Sequence, residues 1–121
     1  MIRNIIIVAL GGAVGSVCRY LVSSTFGNNF PWGTFIVNIL GSLLIGFLIG
    51  IINKGIISPE IKLLLVTGFC GGFTTFSTFA NESFTMMKGG DVLLAALYVG
   101  LSVILGILAV WGGLHVAQLS K

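Results

Sequence analysis

Four long apolar stretches, covering residues 2–22, 33–52, 59–86 and 92–116, are separated by short polar turns, and no His, Asp or Glu falls in the core of any of them. A helix that crosses lipid needs roughly 20 mainly apolar residues, so a chain of 121 residues holds about four such spans and little else. The expectation is an all-α membrane protein of one domain, residues 1–121, with four transmembrane helices and no room for an extramembrane domain. Only 7% of the residues are charged against 56% hydrophobic, too few to give a soluble domain a polar surface.

The same composition excludes several functions. The formal net charge of +3 comes from six scattered Lys and Arg against three acids, with no basic run that could neutralise successive phosphates, so nucleic acid is not expected as a partner. Cys18 and Cys70 show no metal spacing and read as small apolar fillers. The amino-terminal apolar run lacks a small-x-small cleavage site and is read as a retained span. Catalysis finds little support, because the lone histidine, His115, has no nearby carboxylate to orient it. A multidrug-type exporter of similar length would need an embedded carboxylate in its first helix, where this chain has none. A purely structural subunit would leave the polar stripes described next without purpose.

Along the chain, small and polar residues recur at helical steps. Gly11 with Gly15, and Gly46 with Gly50, stand at GxxxG spacing and suit close backbone approach. Thr34, Asn38 and Ser42 form one stripe on the second span, and Tyr98, Ser102 and Gly106 form another on the fourth. Asn38 lies deep enough that its amide must be paired, either in a hydrogen bond that serves assembly or in a polar pathway. Arg19 is either a cation snorkelling to the interface beside Tyr20 or a cation at the mouth of that pathway. Ser58-Pro59-Glu60 carries the cap, first-turn proline and acid of a helix start. Arg3, Lys54, Lys62 and Lys121 fall on one side of the membrane and Lys88 on the other, a bias too small to fix orientation.

The third stretch holds Gly68-Phe69-Cys70-Gly71-Gly72-Phe73-Thr74-Thr75-Phe76-Ser77-Thr78-Phe79. Gly71-Gly72 is expected to break the helix, near residues 71–74, which lipid tolerates only where protein, water or an ion satisfies the freed backbone. Phe73, Phe76 and Phe79 would share one face, with Thr75 and Thr78 on the next and Glu82 one turn beyond Thr78. The phenylalanines are either packing residues or lining. As lining, the hydroxyls and amide of Thr34, Asn38, Ser42, Thr75, Thr78, Tyr98 and Ser102, with the positive edges of phenyl rings, would solvate a small hydrated anion. With no Lys or Arg at mid-depth to trap it, that ion would leave readily.

At these residues the sequence resembles the Fluc family of bacterial fluoride ion channels over nearly its whole length. The likeness covers Gly11-Gly12, Gly15 and Arg19-Tyr20, then Pro31-Trp32-Gly33-Thr34, Val37-Asn38 and Gly41-Ser42, and the run from Gly68 to Phe79. It implies a passive channel in the cell (inner) membrane, not an enzyme, working as an antiparallel, dual-topology homodimer with two fluoride pores built from both subunits. It also implies that Phe76, Phe79 and Asn38 line each pore, that Thr75, Thr78, Glu82, Tyr98 and Ser102 continue it, and that Arg19 lies toward a vestibule. Gly106 stands where relatives can carry Ser. Finally, the likeness implies that backbone carbonyls of Gly71 and Thr74 from each subunit hold a central, structural sodium ion.

Overall fold

A computed structural model describes residues 1–27, 29–55 and 57–119, and every element in that range is helical. Helix α1 spans Ile2–Ser24 and α2 spans Trp32–Ile52. The third segment is composite: α3 (Pro59–Lys62), a π-helix (Leu63–Cys70), α4 (Gly71–Phe73) and, after a gap, α5 (Ser77–Lys88). Helix α6 spans Val92–Leu119. Four of these segments are long and apolar enough to cross a membrane: Ile2–Ser24, Trp32–Ile52, Pro59–Lys88 and Val92–Leu119.

Local chemistry places the ends. Ser58 Oγ accepts from the Ile61 N–H at 3.3 Å, and Pro59 takes the first turn, where its missing donor costs nothing. Between α5 and α6, Gly90 has φ +93°, a left-handed conformation that a side chain would strain. At one end of the bundle an exposed Arg3–Glu60 ion pair of 3.7 Å joins the starts of α1 and α3. At that same end Lys54 donates to the Ala117 carbonyl, joining α2 to the last turns of α6. Lys121 lies outside the described residues.

Packing is carried by glycine. Helix α1 lies against the π-helix so closely that a Cβ on Gly11 would overlap the Leu64 carbonyl oxygen, and one on Gly15 the Phe69 carbonyl oxygen. Helix α2 meets α6 in the same way, Gly46 against the Val110 carbonyl, Gly50 against the Ala117 Cβ and Gly113 against the Leu43 carbonyl. Small residues are the general means of bringing backbones together where lipid removes any hydrophobic drive between helices. Between these two helix pairs runs the buried core of Val37, Phe73, Ala95 and Tyr98.

Two expectations change at the third segment. Gly71, Gly72 and Phe73 are helical, and the chain leaves the helix at Thr74, extended at φ −89° and ψ 162°. Gly72 is there for contact, since a Cβ on it would sit 2.6 Å from the Gly12 carbonyl oxygen. Phe73 does not share a face with Phe76 and Phe79. It is buried and stacked on Phe69 at 5.6 Å, because the non-helical residues between it and Phe76 end the helical count on which a common face depends.

If backbone contact sets the α2–α6 pair, Gly46→Ala should destabilise the protein by about 1–3 kcal/mol through overpacking. Gly100→Ala, where no atom lies within 4 Å, should be neutral or stabilising. Thermal unfolding in detergent micelles separates the two, and equal midpoints would refute the contact as a determinant.

Candidate functional site

An extended residue inside a membrane helix frees backbone groups on both sides of it, and each has to be accounted for. The Thr74 N–H still reaches the Cys70 carbonyl at 3.0 Å, and the Thr74 hydroxyl donates to the same oxygen at 2.9 Å. Asn38 on α2 then takes both groups of the next residue: its Nδ2 donates to the Thr75 carbonyl at 3.0 Å, and its Oδ1 accepts the Thr75 N–H at 2.9 Å. The Thr75 hydroxyl accepts the Thr78 N–H at 3.3 Å, capping the first turn of α5. From α1, the Arg19 Nε donates to the Gly72 carbonyl at 3.0 Å. What remains is an asymmetric set. The carbonyls of Gly71, Phe73 and Thr74 have no donor, and the N–H groups of Phe76, Ser77 and Phe79 no acceptor, among the described residues.

Against this break lies a cavity of about 470 Å³ whose walls come from α2, the third segment and α6. It gathers Asn38, Ser42, Gly71, Thr74, Thr75, Phe76, Phe79 and Ser102, and no charged residue lines it. Ser102 Oγ is buried without a hydrogen-bond partner among the described residues, which at this depth marks a place for a ligand or water. Phe76 and Phe79 stand 6.1 Å apart on its rim, and Phe76 is 79% exposed, projecting away from its own chain.

A second cavity, of about 660 Å³, holds the other expected residues, Arg19, Thr34, Thr78 and Glu82. Tyr98 lines neither cavity and is buried between Phe79, on the first, and Phe30, on the second. Its ring, 1% exposed, lies 5.1 Å from Phe79 and 5.3 Å from Phe30, and its hydroxyl donates to Glu82 Oε1 at 3.1 Å. The rings of Phe76, Phe79, Tyr98 and Phe30 thus make one row from the first cavity to the second. The stripes of α2 and α6 also meet, since a Cβ on Gly106 would lie 3.7 Å from Ser42 Oγ.

Sequence reasoning missed Thr67, which lines the first cavity from the π-helix, and Asn81, Thr85 and Asp91 in the second. Asn81 and Thr85 were detectable, standing three and seven residues beyond Thr78 on the same helical side. Thr67 was not, because its direction depends on π winding.

Helices of spanning length, packed through glycine around a largely apolar, uncharged cavity with a few polar groups in its wall, define a multi-pass membrane protein. The family model described as "CrcB-like protein, Camphor Resistance (CrcB)" matches residues 6–114, and the chain belongs to that family. It is 45% identical to a "Fluoride-specific ion channel FluC" of Flavobacterium psychrophilum, covering 96% of this chain and 98% of the relative. A protein of the same name from Bacteroides fragilis is 45% identical, with 98% and 99% covered, and one from Chlorobaculum tepidum is 46% identical, with 98% of each covered.

The Asn38 clamp is testable by itself. Asn38→Leu, close in size, strands the Thr75 N–H and C=O and should cost about 2–4 kcal/mol. Denaturant unfolding in mixed micelles measures it, and a loss below about 0.5 kcal/mol would show that the break does not depend on this side chain.

Proposed function

We propose that the chain is a fluoride-selective ion channel that lets fluoride leave the cytoplasm passively across the inner membrane, and so limits its toxicity; it is not an enzyme. The cavity beside the break carries the reading, because it offers donors and ring edges to an anion without a basic residue to hold it. Ser102 Oγ, the free N–H groups of Phe76 and Ser77 and the amino-terminal dipole of α5 all favour negative charge there. The relatives' names supply which anion: each of the three is called fluoride-specific.

In this reading Asn38, Ser42, Thr75, Phe76, Phe79 and Ser102 line the narrow part of the path. Thr34, Thr78, Glu82 and Tyr98 continue it, and Arg19 stands toward the vestibule. A strongly hydrated anion exchanges its water for hydroxyl and amide donors a few at a time, and their neutrality keeps each site shallow enough to leave.

The functional unit in this reading is an antiparallel, dual-topology homodimer whose two broken third segments meet at its axis, giving two pores per dimer. Its support is the outward projection of Phe76, which would reach a pore shared with the partner. A central structural sodium ion fits the donor set. The Gly71 and Thr74 carbonyls border the open cavity without a donor, whereas Phe73 is buried, and neutral hard oxygens are what sodium takes. When bound, the ion would neutralise those carbonyls and make the surrounding field more favourable to anions.

Fluoride efflux from liposomes, read with a fluoride electrode, tests the selectivity; equal fluoride and chloride rates would reject it. Phe76→Ile and Phe79→Ile should each slow fluoride by about tenfold or more, the cost expected for losing ring-edge contacts that a passing ion uses. Replacing all sodium with N-methylglucamine should abolish flux or dissociate the dimer, and unchanged flux and mass would remove sodium from the design.

A further inference from the structure

The remaining side chain on the break is Arg19, and its bond has a particular logic. In an unbroken helix the Gly72 carbonyl would accept the N–H of Phe76, four residues on. The extended Thr74 carries Phe76 away, and the Arg19 Nε takes that place at 3.0 Å from a helix 53 positions earlier in the chain. Gly12 and Arg19 are seven residues apart, two turns on one face of α1. Gly12 already touches Gly72, as the 2.6 Å approach of a Cβ there requires. One face of α1 therefore holds Gly72 twice, by backbone contact and by a donor, while Asn38 holds Thr75 from α2.

Arg19 makes no hydrogen bond through its terminal nitrogens among the described residues. Its charge faces a cavity whose walls also carry Glu82 and Asp91, and it pairs with neither among the described residues. We propose that Arg19 is a positioning residue for the break, and that the break requires its Nε–H rather than its positive charge. The Gly72 carbonyl is withdrawn from the cavity, and the turn from Gly71 to Thr74 keeps its aim. The proposal rests on reading the break as part of the conduction path.

Glutamine discriminates donor from charge, because its Nε2 is as many bonds from Cα as the arginine Nε and carries N–H groups without charge. Lysine keeps the charge but puts its first donor one atom further out, on a tetrahedral nitrogen. The test compares R19Q, R19K and R19M in two readouts, fluoride efflux from liposomes and amide hydrogen exchange of peptides covering residues 71–79 in nanodiscs. R19Q should keep exchange within about threefold of the unsubstituted protein and lose less efflux than the other two, whereas R19K and R19M should speed exchange and slow efflux by about tenfold, the loss of one part-buried hydrogen bond. R19Q performing no better than R19K in either readout would overturn the proposal, as would all three matching the unsubstituted protein. Absence of fluoride efflux from the unsubstituted protein would instead count against the channel reading, and the order of exchange rates would still decide the role of Arg19.

Discussion

The reciprocal pair of hydrogen bonds between Asn38 and the backbone of Thr75 is what the rest of the structure depends on. Inside hydrocarbon an unpaired amide or carbonyl costs several kcal/mol, so an extended residue within a span is stable only if its neighbours are satisfied from elsewhere. Asn38 does this for both polar groups of Thr75, which only a side chain with adjacent donor and acceptor can do. Thr75, once held, presents its hydroxyl to Thr78 and caps α5. The direction of α5 then puts Phe79 against Tyr98 and Glu82 within reach of the tyrosine hydroxyl. One amide in α2 thus holds a residue 37 positions later and through it sets the geometry of α5.

A clamp of this kind works only on a rigid frame. The two glycine seams, α1 on the π-helix and α2 on α6, bring backbones together with no flexible side chains between them. Errors in position are then limited to backbone bending, which is stiff, rather than to rotamer changes, which are not. The wider π coil fits this arrangement, since Gly11 and Gly15 leave space for carbonyls of Leu64 and Phe69 that any Cβ would fill.

The count of spanning helices was legible in the apolar stretches, because lipid thickness fixes a length that composition alone can meet. The α2 and α6 stripes were legible for a similar reason, helical periodicity being undisturbed along both helices. The position of the interruption was not. Gly71-Gly72 has the composition of a break, yet glycine in lipid serves close contact as readily, and here Gly72 is spent on Gly12. What ends the helix is a tertiary contact, the Asn38 clamp, acting with the local Thr75 cap. Phe73 was misplaced by the same error, since counting faces across residues 74–76 assumes a helix that is not there. The partner of Arg19 had no local signal at all.

A single chain also leaves its first cavity incomplete. Thr67, Gly71 and Phe76 on its wall are exposed, so something outside the chain must close it. Lipid tails would fill the groove with hydrocarbon and leave the Gly71 and Thr74 carbonyls and Ser102 Oγ without partners, at several kcal/mol each. The proposed second copy of the chain would bring matching polar surface and a second Phe76, and the proposed sodium ion would meet the paired carbonyls. In the proposed homodimer, the unmet polar groups of the break would supply a drive for the two copies to meet at this face.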